Sequence, residues 1–327
     1  MRTIEWYDGP PPAVLLVDQT ALPAELRTLR VTTVDDLIDA IVRLAVRGAP
    51  ALGVAGAMGV ALAAWSGGDA AAVGRLRAAR PTAVNLARGV DRAAARLPDG
   101  YAAVVAEALA VRDEEVAASA EMARLGADLV AELVPAPARV LTHCNTGALA
   151  AVEGGTALAV VAELHRRARL AGVIASETRP LLQGARLTAW ELDRMGAAYR
   201  IAADGAGPFL LARGEADIVL LGADRVCANG DVVNKIGTYS HALGAARAGV
   251  PFVVVAPEST VDTSTPTGAD VEIEDRGAEE VTSFGGVGTA PPGANAVNPA
   301  FDITPADLVT ALVTDRRIVR YDRGERP

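Results

Sequence analysis

The sequence is poor in cysteine, aromatic residues and lysine, and each shortage excludes a class of protein. Two cysteines among 327 residues cannot form a disulfide framework, which favours a reducing, intracellular setting. Aromatic residues make up only 4%, so the core must consist mainly of Ala, Val and Leu. The net charge is −9 and no Lys/Arg-rich run is present, so we expect neither nucleic acid nor an anionic membrane as a partner.

Secretion signals and membrane spans are also missing from the pattern. The N-terminus, MRTIEWYDG, carries acidic residues where a signal peptide has its apolar core. The longest uncharged stretch, residues 48–68, has glycines at both ends and small residues throughout. A spanning helix needs about 20 mostly apolar residues, but these small residues are more typical of a buried, tightly packed helix. We therefore expect a cytoplasmic protein.

A chain of this length is expected to form two domains, and the pattern changes in the middle of the sequence. RTIEWY and AVLLVDQ predict short strands near the N-terminus. Thr33 and Asp36 resemble a capping box at the start of a run of helices. These helices continue to residue 134, with a predicted break near Asp113. We expect residues 1–120 to form a mainly helical domain with a few short strands.

The second half alternates apolar runs with helical segments. Continuous apolar runs suit strands that are buried on both faces. Alternation with helices favours a parallel, doubly wound sheet. We therefore expect an α/β protein, with a Rossmann-like domain over residues 121–327 that is entered through a linking helix. The predicted strands lie at residues 139–143, 171–176, 198–203, 217–223 and 251–256.

The C-terminal part contains two further predictions. Thr304 as N-cap and Pro305 at the first helical position predict a last helix over DLVTALVT, followed by a strand at RIVRY. The long segment 257–298 is polar and rich in Gly, Pro and Thr. Loops of that length are usually functional or disordered.

Reactive side chains follow the predicted strands, where ligands of open parallel sheets bind. Cys144 comes directly after the first of these strands and Asp224 after the fourth. A cysteine beside the amides of a glycine turn could have a lowered pKa and act as acid, base or nucleophile. Free cysteines are also often buried and inert, and that alternative stays open here. Cys227, in the turn RVCANGD, is better interpreted as structural.

No cofactor is predicted from the motifs. The turn CNTGALAAVEGG does not fit G-x-G-x-x-G, and no P-loop or G-x-S-x-G sequence occurs. The glycines of GVAGAMG lie in a helical pattern, so we interpret them as sites of close helix packing. His143 and Cys144 are adjacent on a strand and point to opposite faces, and no C-x-x-C or H-x-x-x-H spacing occurs, which argues against zinc.

The single lysine, Lys235, lies shortly before a predicted helix in a chain with thirty arginines. A compact ammonium beside a helix N-terminus suits a phosphate group, whereas a guanidinium fork has a different shape. Chance retention is the alternative. Arg47 and Arg80 are further candidates for phosphate or hydroxyl contacts, or else surface arginines.

Six long motifs together resemble one family, the aldose-ketose isomerases of methylthioribose 1-phosphate in methionine salvage. This family is related to the regulatory subunits of translation-initiation factor 2B. The resemblance runs from WYDG to the C-terminal motif. Its motifs are RGAPALG, RPTAVNL, HCNTGALA, ETRPLLQGARLTAWEL, GADRVCANGDVVNKIGTYSHAL and NPAFDITPADLVTALVT.

The resemblance implies a site as well as an activity. It implies Cys144 and Asp224 at the reacting sugar carbons, a homodimer, and neither a metal nor a nucleotide cofactor. It also implies a set of substrate-binding residues, namely Arg47, Gly48, Ala49, Arg80, Gln183, Asn234 and Lys235.

The expected reaction opens a furanose whose anomeric oxygen carries phosphate. Our hypothesis is that Asp224, kept protonated by burial, donates to the ring oxygen while Cys144 acts at carbon 2. Proton abstraction through an enol and a direct hydride shift both remain open. So do two related substrates, 5-deoxyribose 1-phosphate and ribose 1,5-bisphosphate, and a noncatalytic binding role like that of an initiation-factor subunit.

Overall fold

The structure is a computed structural model that describes residues 1–80 and 83–327, so Pro81 and Thr82 of the RPTAVNL motif lie outside it. Internal contacts divide the chain into two compact units. The first unit consists of residues 1–123 and 146–159, and the second of residues 124–145 and 160–327. We propose, as the sequence predicts, that the boundary between the two domains lies near residue 120.

The first unit begins with a small antiparallel sheet and continues with helices, as predicted. Its strands are β1 (Ile4–Tyr7), β2 (Ala13–Val17) and β3 (Thr28–Val31), in that order across the sheet. The helices are α1 (Val34–Val42), α2 (Ala49–Trp65), α3 (Ala70–Ala78), α4 (Val84–Ala94) and α5 (Tyr101–Leu133), of which the last ends in the second unit.

Local sequence signals correctly predict the start of α1 and wrongly predict an interruption of α5. Thr33 is the N-cap of α1, and its hydroxyl accepts the N–H of Asp36 at 3.1 Å, as the capping pattern predicted. The break predicted near Asp113 is wrong, because α5 runs without interruption for 33 residues. An aspartate in a helix interior costs only a few tenths of a kcal/mol, and no proline interrupts this stretch.

The glycines of α2 allow close packing against neighbouring helices, as predicted. A Cβ on Gly53 would lie 3.2 Å from the carbonyl oxygen of Asn85, and one on Gly56 would lie 2.9 Å from that of Leu86. Nearly all residues of α2 are buried. Within residues 1–80 and 83–327, no helix is long and apolar enough to cross a membrane.

The second unit contains the predicted parallel sheet and several small elements. Helix α6 (Ala157–Arg166) begins in the first unit, and α7 (Ala189–Met195), α8 (Gly207–Ala212), α9 (Thr238–Ala248) and α10 (Glu279–Thr282) follow. The strands are β4 (Ala138–Thr142), β5 (Leu170–Ser176), β6 (Tyr199–Ala202), β7 (Ile218–Leu221), β8 (Arg225–Cys227), β9 (Val232–Lys235), β10 (Phe252–Val255), β11 (Val261–Asp262), β12 (Ser283–Phe284), β13 (Val287–Gly288), β14 (Phe301–Thr304), β15 (Ala311–Val313) and β16 (Ile318–Arg320).

The main sheet has seven strands in the order β16-β15-β10-β7-β4-β5-β6. Neighbouring strands from β15 to β6 pair in parallel, and among the described strands of this sheet only β16 is antiparallel to its neighbour. Every residue of β7 and β10 is buried, which explains their continuous apolar sequences. The α/β fold predicted from the sequence, with a Rossmann-like sheet in its second half, is thereby confirmed.

The helix predicted over DLVTALVT is wrong. Thr304 ends β14, a short 3₁₀ turn follows, and Ala311–Val313 forms β15. β15 pairs with β10 in parallel, Val253 opposite Ala311, and all three of its residues are buried. Burial in the sheet overrides the local helix-start signal of Thr304 and Pro305. The strand predicted at RIVRY is confirmed as β16.

A second, smaller sheet carries part of the candidate site, and its strands are interspersed along the chain with those of the first. Its order is β11-β8-β9-β14, with β8 and β9 forming a hairpin. β14 pairs antiparallel with β9, so that Phe301 lies opposite Lys235. The segment 257–298 contains short elements of its own, including α10 and the hairpin of β12 and β13.

Candidate active site

Cys144 and Asp224 follow two adjacent strands at the point where the strand order of the sheet reverses. From β4 the chain adds β5 and β6 on one side, whereas β7, β10 and β15 lie on the other side. Open α/β sheets bind ligands in the crevice at such a switch point, outside the carboxyl ends of the strands. Leu141 of β4 pairs with Val219 of β7, and paired strands lie about 4.8 Å apart. The two predicted catalytic residues therefore share this edge of the second unit.

The backbone of Cys144 has an unusual conformation that two side chains stabilise. Its φ angle is 60°, in the left-handed region, which costs of order 1–2 kcal/mol for a residue with a Cβ. Its N–H donates to Thr178 Oγ1 at 2.9 Å, and its carbonyl accepts from Thr188 Oγ1 at 2.6 Å. The residue is 9% exposed. The sequence motif did not reveal either threonine as a partner.

Backbone strain is concentrated near Cys144. In the described part of the chain, five non-glycine residues have positive φ angles. Three of them, Cys144, Thr178 and Leu182, lie in the loops that follow β4 and β5. Such strain persists only where surrounding contacts stabilise it, and it is typical of functional sites.

Asp224 lies beside the end of β9. Its N–H donates to the carbonyl of Val233 at 3.0 Å, so that the half-buried aspartate is next to Asn234 and Lys235 in the hairpin of β8 and β9. The structure thus brings four predicted residues of the second unit to one edge. Cys144 follows β4 and Asp224 follows β7, while Asn234 and Lys235 are the last two residues of β9.

Lys235 is buried, with only 8% of its surface exposed. Its Nζ donates to the carbonyl of Ala300 at 2.9 Å and lies 4.9 Å from the ring centroid of Phe301. Asn234 Nδ2 donates to Thr238 Oγ1 at 2.9 Å. A buried cation attracts an anion strongly because water screens it poorly.

The N-terminus of α9 is capped by Asp302, which sequence reasoning missed. The carboxylate accepts the N–H groups of Gly237 at 2.7 Å and Tyr239 at 3.1 Å. Burial raises the pKa of Asp302 to about 6, although these N–H groups and Lys235 act in the opposite direction. These amides thus bind a side chain of the chain itself, and Lys235 is close enough to Asp302 for its charge to act on that carboxylate.

A pair of buried histidines connects the Cys144 turn to the Lys235 loop. His143 Nε2 lies 2.7 Å from the carbonyl oxygen of Ile236, which can only accept, so this nitrogen carries the proton. His241 Nε2 then donates to His143 Nδ1 at 3.2 Å. Burial lowers the pKa of both imidazoles, which keeps them neutral. Their adjacency could not be inferred from a separation of 98 residues.

Gln183 also belongs to the second unit, and in the sequence it lies between the two threonines that hydrogen-bond to the backbone of Cys144. It directly precedes the π-helix Gly184–Thr188 and is buried. Its Oε1 has no hydrogen-bond partner among the residues that the structure describes. An unsatisfied buried acceptor is uncommon, and a bound ligand is one explanation for it.

The remaining predicted residues belong to the first unit. Arg47 is buried, and Gly48 is the N-cap of α2, with Ala49 as the first helical residue. Gly48 has a φ angle of 98°, and a Cβ there would lie 2.3 Å from the carbonyl oxygen of Ala150. In the described ranges, no side-chain hydrogen bond caps this helix. Arg80 is half-buried and ends the described residues before position 81.

Cys227 has a structural environment, as predicted from its turn. It is fully buried, its carbonyl accepts the N–H of Gly230 at 2.9 Å, and burial raises the pKa of its thiol to about 11. In residues 1–80 and 83–327, no three His, Cys, Asp or Glu side chains are grouped so that they could hold a metal ion.

Comparison with known proteins gives a consistent set of relatives. The model of the initiation factor 2 subunit family matches residues 45–319. A probable bifunctional methylthioribose-1-phosphate isomerase/methylthioribulose-1-phosphate dehydratase of Nocardia farcinica is 52% identical over 97% of the chain, which spans 59% of that relative's length. A methylthioribose-1-phosphate isomerase of Anaeromyxobacter sp. (strain K) is 54% identical, over 96% of the chain and 93% of the relative.

A solved structure agrees with these sequence relatives. The crystal structure of 5-methylthioribose 1-phosphate isomerase from Pyrococcus horikoshii OT3 matches with a TM-score of 0.89 and 38% identity. The match covers 98% of this chain and 92% of that one. The similarity therefore includes both compact units.

Proposed function

The chain belongs to the initiation factor 2 subunit family, and from this premise we propose that it isomerises 5-methylthioribose 1-phosphate to 5-methylthioribulose 1-phosphate in methionine salvage. The observation that carries the proposal is the position of Cys144 and Asp224 on adjacent strand ends at the switch point of the sheet. The names of relatives at 52% and 54% identity support the choice of substrate.

Asp224 acts as the general acid in this proposal. As the bond between carbon 1 and the ring oxygen breaks, the carboxylic acid donates its proton to that oxygen, which becomes the hydroxyl at carbon 4. For this role Asp224 must hold a proton when the sugar binds, as any general acid must. General acid–base groups typically contribute about 10²- to 10⁴-fold in rate.

Cys144 acts at carbon 2, by one of two routes. In the first, its thiolate removes the carbon 2 proton to give an enol between carbons 1 and 2. Carbon 1 then gains a proton while oxygen 2 loses its proton, which leaves the ketone at carbon 2. In the second, hydride moves directly from carbon 2 to carbon 1, and Cys144 guides the hydroxyl proton that leaves oxygen 2. Substrate deuterated at carbon 2 separates the routes: full retention at carbon 1 of the product excludes an exchanging enol, and washout to solvent excludes a pure hydride shift.

Lys235 and Asn234 bind the phosphate and sugar in the second unit, together with Gln183. The buried ammonium of Lys235 supplies a point charge for the phosphate dianion. Gln183 Oε1, which has no hydrogen-bond partner in the described part of the chain, accepts a substrate hydroxyl. From the first unit we assign Arg47, Arg80 and the amides at Gly48 and Ala49. The N-terminus of α2 carries partial positive charge and suits phosphate.

Turnover of three sugar phosphates by the purified protein tests the activity. Methylthioribose 1-phosphate, 5-deoxyribose 1-phosphate and ribose 1,5-bisphosphate are incubated separately, and the new ketone is followed by NMR. We expect preference for the methylthio sugar. We also expect Cys144→Ser and Asp224→Asn to lower kcat about 10²- to 10⁴-fold without loss of sugar-phosphate binding. Unchanged turnover in both variants would exclude the assigned roles.

A noncatalytic binding subunit is the second candidate, because the matching family is named for an initiation factor. A binding subunit has no need of an acid and a thiol at one switch point, so Cys144 and Asp224 favour the enzyme. No turnover of any of the three sugars, with retained binding, would reverse this preference. We further propose a cytoplasmic homodimer that works without a cofactor.

A further inference from the structure

The left-handed backbone of Cys144 is held on its N–H side by Thr178. The fully buried hydroxyl of Thr178 donates its single proton to the carbonyl of Ser176 at 3.0 Å. Its oxygen is therefore oriented to accept the N–H of Cys144 at 2.9 Å. The link joins the turn after β4 to the loop after β5.

Asp204 fixes that loop from the end of β6. Its carboxylate accepts three hydrogen bonds, from Ser176 Oγ at 2.5 Å, the N–H of Thr178 at 2.8 Å and the N–H of Arg179 at 2.6 Å. Thr178 itself has a φ angle of 66°, so the carboxylate stabilises a second strained residue. The conformation of Cys144 thus depends on a chain of contacts that crosses three strand ends.

Thr188 holds the other side of Cys144. Its hydroxyl accepts from Asn145 Nδ2 at 3.2 Å and donates to the carbonyl of Cys144 at 2.6 Å. The π-helix that carries Thr188 approaches β5 closely, because a Cβ on Gly184 would lie 1.7 Å from the carbonyl oxygen of Ser176. π-Helical turns are rare and occur often at functional sites.

We propose that Thr178 and Thr188 are positioning residues for the isomerase reaction, which hold Cys144 in the left-handed conformation that directs its thiol, with Asp204 fixing Thr178. This inference rests on the proposed function for its link to turnover, while the conformation of Cys144 is measurable without substrate. Neither threonine is required to touch the sugar. Their removal therefore lowers kcat and leaves KM nearly unchanged.

The test compares valine and serine at each position in a Cys227→Ser background, so that Cys144 is the only thiol. Valine keeps the branched shape of threonine and removes the hydroxyl, whereas serine keeps the hydroxyl. We expect Thr178→Val and Thr188→Val to lower kcat about 100-fold with KM within threefold. Iodoacetamide should alkylate Cys144 at least tenfold faster in both valine variants than in the parent. Thr178→Ser and Thr188→Ser should stay within fivefold of the parent in both measurements.

Thr260→Val is the matched control, because Thr260 is buried and its hydroxyl has no partner in the described part of the chain. It should leave kcat and the alkylation rate unchanged. Valine variants that are folded by circular dichroism, with parental kcat and parental alkylation, would overturn the inference. A parent that turns over none of the sugars, but whose valine variants alkylate faster, would refute the proposed function and leave the positioning of Cys144 intact.

Discussion

At the scale of single residues, the buried ammonium of Lys235 has a geometry that arginine cannot reproduce. Nζ lies between the carbonyl of Ala300 and the ring of Phe301, in a site with almost no exposed surface. A guanidinium is larger and planar and has five N–H donors. Arginine would therefore keep the positive charge but place it at a different position. The shape of this site therefore explains why lysine, and not arginine, is retained at position 235.

We predict that Lys235→Arg lowers kcat/KM for methylthioribose 1-phosphate about 10- to 100-fold, mainly through KM, because one charge-assisted hydrogen bond is worth roughly 1.5–3 kcal/mol. Steady-state kinetics measure the effect. Arg247→Lys, an exchange at an exposed position of α9, is the control and should have no effect. A parental KM in Lys235→Arg would show that the phosphate lies elsewhere.

The two buried histidines give a pH prediction with a definite sign. Burial lowers the pKa of His143 and His241 below the ordinary value of 6.5. The charge of Asp204 acts in the opposite direction on both rings, whereas that of Lys235 lowers the pKa of His143 further. Below pH 6.5 the unfolded chain therefore binds protons that the folded chain does not, and these residues lower the free energy of unfolding as the pH falls. Asp302, whose pKa is raised to about 6, contributes with the opposite sign as the pH falls from 6 towards 4.

Because these contributions overlap, NMR of labelled histidine is the measurement. We expect the ring signals of His143 and His241 to stay unchanged from pH 8 to pH 5.5, with His143 protonated on Nε2. Titration of either ring near pH 6.5 would contradict the neutral pair. Signals are assigned from His143→Gln and His241→Gln, and the chain has only three histidines to distinguish.

At the scale of elements, close helix packing in the first unit depends on glycine. A Cβ on Gly89 of α4 would lie 2.0 Å from the carbonyl oxygen of Gly53 of α2, so the two helices must separate to accommodate any other residue. At Gly74 of α3, no atom of the described residues lies within 4 Å of the corresponding position. The same substitution by alanine should therefore have opposite effects on stability at Gly89 and at Gly74.

We predict that Gly89→Ala lowers the free energy of unfolding by about 1–3 kcal/mol, because overpacking displaces backbone. Gly74→Ala should instead raise it by about 0.5–1 kcal/mol, since alanine is the better helix former. Urea denaturation at constant pH measures both. Equal effects of the two substitutions would mean that α2 and α4 do not pack as closely as described.

At the scale of the whole molecule, the acidic surface agrees with a small-molecule substrate. A net charge of −9 gives no general attraction for anions, so the phosphate binding that we propose requires local groups such as Lys235. We predict a homodimer, with a mass of about twice 33.5 kDa by light scattering, at concentrations used for turnover. A mass of 33.5 kDa under those conditions would exclude the dimer.

The sequence by itself determined the elements with strong periodic patterns, and it indicated the residues that we propose act near the strand ends. Buried strands such as β7 and β10 are continuous apolar runs, and Cys144 and Asp224 lie two and three residues after the ends of β4 and β7. These features are local, so neighbouring residues are enough to reveal them. The final segment shows the limit, because Thr304 and Pro305 indicate a helix that pairing of β15 with β10 overrides.

Only the tertiary structure decided which distant residues meet. The order of strands makes β4 and β7 neighbours and creates the switch point. It also places Thr178 and Thr188 on the backbone of Cys144, and Asp302 on α9. These contacts join residues 34 to 65 positions apart, and their hydrogen bonds depend on sheet order and loop conformation, which no short sequence pattern specifies.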